Sequence, residues 1–237
     1  MTEPIPLLAS ETLRRAHFAH GFSTRAGSVS TLAAALGFDA ERLYQVHQVH
    51  GPALEVAEGE PAKLREKQAD ALVADPGSGH AVAVRTADCV PILLADASTG
   101  RVAAVHAGWR GVVADVIGVS VRHLAESREQ RRQLLAAIGP CIGPCCFEVG
   151  ADVGEEIAKA TTASAIARRD DARGKVYVDL RAAVRARLVE LGLADAAIDD
   201  VPDRTSAGCT RCDAERFHSY RRDGASSGRL TAVIVAR

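Results

Sequence analysis

Two residues that can bind a metal or act in nucleophilic chemistry lie near the middle of the 237-residue chain. Cys89 comes just before the apolar run Pro91–Ala95, and His106 directly follows the apolar run Val102–Val105. Turn-forming residues around Ser98 separate the two runs, which is the pattern of a β-hairpin. Because Cys89 and His106 lie at similar distances from this turn, we predict that the hairpin brings them to the same end.

A Cys–His pair of this kind has three chemical interpretations. With His50 as a third ligand, one thiolate and two imidazoles would hold zinc and leave a fourth position for water. In the second interpretation, Cys89 is a thiolate nucleophile and His106 its base, oriented by Asp88 or by a backbone carbonyl. In the third, Cys89 is a buried apolar side chain without a chemical role. The residue types alone leave all three open.

Cys209 and Cys212 form a second candidate metal site with the spacing CxxC. A lone CxxC motif is a weak signal, because a structural zinc site normally adds a second closely spaced pair. Cys141 and Cys145 are the candidates for these additional ligands. Cys145 and Cys146 are adjacent among six cysteines, and no secretory signal precedes them, so we do not expect a disulfide framework.

The elements around these residues are predicted from hydrophobic periodicity. The segment before Gly51 alternates like a strand, which would place His47 and His50 on opposite faces, so that at most one enters a shared site. After Gly111, apolar residues recur at helical spacing, and we predict one helix of roughly four turns.

The second half of the chain continues with both kinds of element. Leu134–Ile138 and Leu230–Val235 are predicted strands, and residues 160–174 are predicted to be a polar excursion. Asp179 can cap a helix that Gly192 ends. Because strands and helices alternate imperfectly, we predict an α+β fold with mixed sheets.

Length and composition restrict the class of protein. A hydrophobic fraction of 47% and a charged fraction of 25% are typical of a globular protein, and we expect a single domain over residues 1–237. The net charge of −1 argues against a nucleic-acid partner. No apolar run reaches the roughly 18 residues needed to span a membrane, and the start lacks a signal-peptide pattern. We therefore expect a cytoplasmic protein, either a monomer or a homodimer.

Six blocks of sequence, in this order, resemble one known family, the purine nucleoside phosphorylases formerly called polyphenol oxidases or multicopper laccases. The resemblance runs from about residue 20 to the C-terminus, and the TADCxP and HAGWRG blocks are highly specific. The blocks are Gly21–Gly27, Gln48–Gly51, Thr86–Pro91, His106–Gly111, Ile138–Cys146 and Phe217–Arg222.

The resemblance implies a fold, an activity and a cofactor. The implied fold is a layered α/β/β/α sandwich of mixed sheets. The implied activity is phosphorolysis of adenosine, inosine, guanosine and methylthioadenosine, together with deamination of adenosine. The implied cofactor is zinc, bound by His50, Cys89 and His106, which is the first of the three interpretations above.

The remaining roles are assigned by residue chemistry. We expect Arg25 and Arg110 to contact phosphate or developing negative charge, and Asp88 to act in acid–base chemistry or to position another group. An arginine cluster could also bind phosphate through Arg216, Arg221 and Arg222.

Two other enzyme classes are alternatives. A Cys–His thiol hydrolase is one, and members related to this family have been linked to the editing of peptidoglycan precursors. A copper-dependent polyphenol oxidase is less consistent with the sequence, because the chain has eight histidines and no His-x-His pair.

Overall fold

The computed structural model describes residues 7–201 and 208–237, in which strands and helices interleave. The strands are β1 (Leu7–Leu8), β2 (His20–Ser23), β3 (Leu43–Tyr44), β4 (Leu54–Val56), β5 (Ala71–Ala74), β6 (Ala81–Thr86), β7 (Val90–Asp96), β8 (Val102–Ala107), β9 (Leu134–Ile138), β10 (Glu148–Gly150), β11 (Ile166–Asp170), β12 (Lys175–Val178), β13 (Ile198–Asp200) and β14 (Leu230–Val235). The helices are α1 (Glu11–Arg15), α2 (Val29–Leu36), α3 (Pro61–Leu64), α4 (Trp109–Val113), α5 (Val116–Leu124), α6 (Arg128–Arg131), α7 (Ala151–Ala160), α8 (Leu180–Leu191) and α9 (Tyr220–Asp223).

The strands form three sheets. One sheet has the order β13-β9-β7-β8-β5-β4, a second has the order β1-β2-β14-β6-β3, and the third, smaller sheet has the order β10-β12-β11. The first two sheets are mixed, since β13 with β9, β4 with β5, and β3 with β6 pair in parallel while their other pairs are antiparallel. The predicted α+β fold with mixed sheets is confirmed.

The two larger sheets pack face to face between layers of helices. Successive residues of β7 enter different hydrophobic clusters, because side chains alternate between the faces of a strand. Ile92 packs with Ile117 of α5 on the helical side, and Leu93 packs with Val84 of β6 between the sheets. Leu32 of α2 covers the outer face of β6. These layers are the α/β/β/α arrangement that the family resemblance implied.

The predicted hairpin is present and delivers both chemical residues to one end. Strands β7 and β8 pair antiparallel, with Val90 opposite Ala107 and Pro91 opposite His106. At the turn, the Asp96 carboxylate accepts a hydrogen bond from the backbone N–H of Ser98 at 2.9 Å. Cys89 and His106 therefore lie at the end of the hairpin opposite its turn.

The single helix predicted after Gly111 is wrong, because the chain breaks at Asp115. Asp115 has a φ of 66°, a left-handed conformation that ends α4. Its carboxylate then caps α5 by accepting from the Gly118 N–H and pairs with Arg122 and Arg187. The helical periodicity continues across the break, so the apolar pattern alone did not reveal it.

Two further segments differ from the predictions. The segment before Gly51 is not a strand: His47 makes one isolated bridge with Gln68, and His50 has a φ of 63°. Residues 160–174 contain β11, which pairs with β12. This strand escaped prediction because it lies in the small sheet, where its middle residues are exposed and can be polar.

No helix within residues 7–201 and 208–237 has both the length and the apolar character needed to cross a membrane.

The predicted cap and stop of α8 are confirmed and lead to a stability prediction. The Asp179 carboxylate accepts from the Ala182 N–H at 2.9 Å, and Gly192 ends the helix with a φ of 116°. We expect Asp179→Ala to lower the free energy of unfolding by about 1 kcal/mol, measured by urea denaturation. The exposed Asp171→Ala is the control. Equal unfolding midpoints for the two variants would contradict the capping role.

Candidate metal centre

Three metal-ligating side chains meet where the hairpin ends. His50, Cys89 and His106 each place one ligand atom within 4.8 Å of the other two. His106 comes from β8, Cys89 from the loop before β7, and His50 from the irregular segment before Gly51. The two imidazole rings lie edge to face, with centroids 4.8 Å apart.

The buried carboxylate of Asp70 holds two of these three residues in place. It accepts a hydrogen bond from His106 Nδ1 at 2.7 Å, which directs Nε2 of that ring toward the cluster. It also accepts from the backbone N–H groups of Val49, His50 and Gly51 at 3.2, 2.9 and 2.7 Å. The same carboxylate thus orients one imidazole and stabilises the left-handed backbone that carries the other.

Asp70, which positions the cluster, was not among the residues predicted from the sequence. The prediction that Asp88 or a backbone carbonyl orients His106 is wrong. Asp70 reaches this position because β5 and β8 pair antiparallel with Ala71 opposite Val105, which sets Asp70 beside His106. One feature of the sequence could have pointed to Asp70: its carboxylate directly precedes β5, an apolar strand that is fully buried. A charge in such a place needs a hydrogen-bonding or charged partner.

The cluster favours an ionised thiol. Burial alone would raise the pKa of Cys89, but the imidazoles of His106 and His50 outweigh it and lower this pKa to about 6. Burial alone would lower the pKa of His106, but the Asp70 carboxylate and the Cys89 sulfur raise it to about 9. Without a metal, these opposite shifts favour a thiolate beside an imidazolium between about pH 6 and pH 9.

The residues present fit a metal ion. One thiolate and two imidazoles form a donor set that suits zinc and related transition metals, and Asp70 supplies the usual outer carboxylate. Gly108 leaves room for this grouping, because a Cβ there would lie 2.7 Å from His50 Cδ2 and 3.1 Å from Cys89 Sγ. Three protein ligands leave a fourth position for water or substrate.

The cluster lies in a cavity of about 740 Å³. Two aromatic side chains, Phe147 and Tyr220, line it together with three arginines, Arg85, Arg221 and Arg229. The cavity therefore combines a cluster that could hold a metal ion, apolar ring surfaces and positive charge.

Asp88 also lines this cavity and ties the C-terminal segment to it. It has a φ of 95° and is 9% exposed. One carboxylate oxygen accepts from the Thr210 hydroxyl at 2.6 Å, and the other accepts from the Arg221 backbone N–H at 2.6 Å. Asp88 thereby holds Arg221 at the cavity wall.

The two arginines expected to meet phosphate lie elsewhere in the described structure. The Arg25 guanidinium donates to the Ala214 carbonyl at 3.0 Å. The exposed Arg110 guanidinium stacks 4.6 Å from the Trp109 ring centroid. Neither Arg25 nor Arg110 is among the described residues that line the cavity.

The C-terminal arginine cluster divides between structural and cavity positions. Arg222 donates to the Thr210 and Phe217 carbonyls and pairs with Asp223. Arg221 lies against the cavity, 5.5 Å from the Phe147 ring centroid. Arg221 is thus the member of this cluster that the structure brings to the metal-binding residues.

A family model described as multi-copper polyphenol oxidoreductase laccase matches residues 20–237. The chain belongs to this family. A purine nucleoside phosphorylase of Deinococcus radiodurans is 34% identical over 261 residues, covering 99% of this chain and 94% of the relative. An adenosine deaminase of an unknown prokaryotic organism is 40% identical over 218 residues, covering 87% of this chain and 80% of the relative.

A solved structure shares the fold across the whole chain. YlmD from Geobacillus stearothermophilus superposes with a TM-score of 0.82 at 27% identity, covering 100% of this chain and 98% of that chain. The family membership predicted from the six sequence blocks is therefore confirmed.

Proposed function

We propose that this member of the family is a zinc-dependent purine nucleoside phosphorylase that also deaminates adenosine. The proposed substrates are phosphate and the nucleosides adenosine, inosine, guanosine and methylthioadenosine. The observation that carries the proposal is the meeting of His50, Cys89 and His106 in a cavity of about 740 Å³, a volume suited to a small organic ligand. The names of the two relatives support both activities.

The metal would be held by His50 Nε2 or Nδ1, the Cys89 thiolate and His106 Nε2. Bound zinc supplies a Lewis acid and lowers the pKa of a coordinated water. Asp70 keeps the His106 ring in one orientation through its 2.7 Å hydrogen bond. Because the neighbouring imidazoles lower the pKa of Cys89 to about 6, less free energy is needed to deprotonate this thiol for zinc at neutral pH.

The other cavity residues suit the two substrates. In phosphorolysis, an oxygen of hydrogen phosphate bonds to C1′ of the ribose and the bond from C1′ to the base breaks. The base gains one proton and the phosphate loses one, so that base and ribose 1-phosphate are the products. The proposal gives the phosphate-binding role first predicted for Arg25 and Arg110 to Arg85, Arg221 and Arg229, because these line the cavity. Phe147 and Tyr220 offer ring surfaces to the base, and Asp88 positions Arg221.

The test combines product and metal analysis. Purified protein given adenosine is expected to yield adenine and ribose 1-phosphate when phosphate is present, and inosine without it. His50→Ala should lose the zinc ion of this centre and lower both activities by at least about 100-fold, because it removes a metal ligand. His47→Ala is the matched control, a histidine of the same cavity that is outside the cluster and should keep its zinc. Absence of all three products, with the same zinc content in His50→Ala as in the wild type, would refute the proposal.

A thiol hydrolase is the second candidate, favoured by the lowered pKa of Cys89 beside His106 and Asp70. This arrangement of thiolate, imidazole and carboxylate is the one that a cysteine nucleophile requires. Chelation separates the two functions, with peptidoglycan-precursor peptides as the hydrolase substrate. Metal removal should abolish nucleoside turnover under the first proposal and leave peptide hydrolysis intact under the second.

A further inference from the structure

Four thiols from two distant segments meet outside the cavity. Cys145, Cys146, Cys209 and Cys212 place their sulfur atoms within 4.8 Å of one another. Cys212 Sγ lies 3.3 Å from Cys146 Sγ and 3.7 Å from Cys145 Sγ. All four are free thiols.

The backbone aligns these segments independently of the thiols. Cys141 and Cys209 form a parallel bridge, and the Thr210 N–H donates to the Cys141 carbonyl at 3.0 Å. A tight turn follows Gly143, whose carbonyl accepts from the Cys146 N–H at 2.9 Å. The turn places the adjacent Cys145 and Cys146 beside Cys209 and Cys212 of the CxxC motif. Cys145 and Cys146 thus supply the second cysteine pair that a structural zinc site normally needs. Cys146 takes the place for which Cys141 was a candidate.

The surroundings of the cluster suit thiolates. The Gly143 N–H donates to Cys209 Sγ at 3.2 Å, and the Arg211 guanidinium donates to Cys146 Sγ at 3.5 Å. A Cβ at position 143 would lie 3.3 Å from Cys145 Sγ and 3.2 Å from Cys209 Cβ, so glycine makes this close approach easy. Amide and guanidinium donors of this kind stabilise sulfur ligands of a metal.

Four ionised sulfurs within 4.8 Å of one another would repel each other. A divalent cation at the centre would remove this repulsion and allow all four thiols to ionise.

We propose that Cys145, Cys146, Cys209 and Cys212 form a second, structural zinc site. Zinc–sulfur bonds of about 2.3 Å in a tetrahedron separate the sulfurs by about 3.8 Å. The observed separations of 3.3 and 3.7 Å, with all pairs within 4.8 Å, lie around this value. Four protein ligands leave no open position, so this ion has a structural and not a catalytic role.

The second site would stabilise one wall of the cavity. Thr210 lies between Cys209 and Cys212 and donates to Asp88, and Phe147 follows Cys146 and lines the cavity. The zinc ion would cross-link the two segments that carry these residues. This second site would need only the four thiols and would form whether or not the chain has the proposed enzymatic activity.

Metal analysis of the full chain, purified with reductant and saturated with zinc before desalting, tests the proposal. We expect about two zinc ions per chain in the wild type and about one in Cys212→Ser or Cys145→Ser. Cys141→Ser is the matched control, since this buried thiol neighbours the cluster but is outside it, and it should keep both ions. Cys89→Ser should retain one ion, and the double variant Cys89→Ser, Cys212→Ser should retain none.

Cobalt substitution gives a second readout that does not depend on ion counting. In the Cys89→Ser background, bound Co²⁺ should show the strong charge-transfer absorption of several thiolate ligands, which Cys212→Ser should remove. Any of three results would overturn the inference. The first is equal zinc content in the wild type and Cys212→Ser, and the second is iron in place of zinc. The third is a disulfide among the four clustered cysteines in the reduced protein. If only the first centre fails, the wild type will hold one ion and Cys212→Ser none, so the two failures are distinguishable.

Discussion

Asp70→Asn is expected to lower the zinc affinity of the His50–Cys89–His106 centre, and nucleoside turnover with it, by about 10- to 100-fold. Asparagine keeps the shape of the side chain but removes its negative charge and one of the two accepting oxygens. In the wild type these oxygens accept hydrogen bonds from His106 Nδ1 and from three backbone N–H groups. The imidazole then loses its orientation, and the loop that carries His50 loses its anchor. Competition with a metal indicator measures the affinity.

Asp96→Asn is the matched control for this substitution. Asp96 is another buried aspartate, 6% exposed, at the opposite end of β7, where it accepts hydrogen bonds from Ser98. Its replacement should reduce stability without changing zinc affinity. If Asp70→Asn and Asp96→Asn bound zinc equally well at the His50–Cys89–His106 centre, measured in the Cys212→Ser background, Asp70 would have no role in the centre.

Cys89 of the metal-free protein is expected to react with iodoacetamide with a pH midpoint near 6 instead of its ordinary pKa of 9.0. The thiolate is the reactive form, so the rate should rise as pH increases through this midpoint and level off above it. His106→Ala should move the midpoint upward, because it removes the larger of the two imidazole contributions. Zinc should protect Cys89 in the wild type.

Peptide mapping by mass spectrometry separates Cys89 from the exposed thiols of Cys145 and Cys212. Those two cysteines provide internal controls, since their pKa values are raised and their reactivity should increase only at higher pH. A Cys89 midpoint close to 9 in the metal-free wild type would contradict the thiolate–imidazolium pair.

Local pattern was enough to predict the hairpin that carries the centre. Apolar runs of strand length flank a turn, so the pairing that brings Cys89 and His106 together follows from nearly equal arm lengths. The cap and stop of α8 were likewise predictable, because Asp179 and Gly192 act on their own helix. The sequence also offered His50 as the third candidate ligand, and the family resemblance implied the same three zinc ligands.

Contacts between distant segments account for what was missed. Asp70 reaches His106 only through the pairing of β5 with β8, which no local pattern predicts. His47 and His50 both line the cavity because His50 adopts a left-handed backbone, held by Asp70, instead of continuing a strand. The sequence favoured Arg25 and Arg110 for phosphate and offered Arg221 only within a separate cluster, yet of these three Arg221 is the one among the described residues that line the cavity.

The sequence by itself determined the fold class, the family and the Cys–His end of the hairpin, because these depend on periodicity, turn chemistry and short specific blocks. Only the tertiary structure decided that Asp70 supports the centre, which arginines line the cavity, and that the four clustered cysteines meet. Hydrogen bonds and metal ligands act over about 2–3 Å. Side chains far apart in the chain reach such distances only after the sheets have paired and packed.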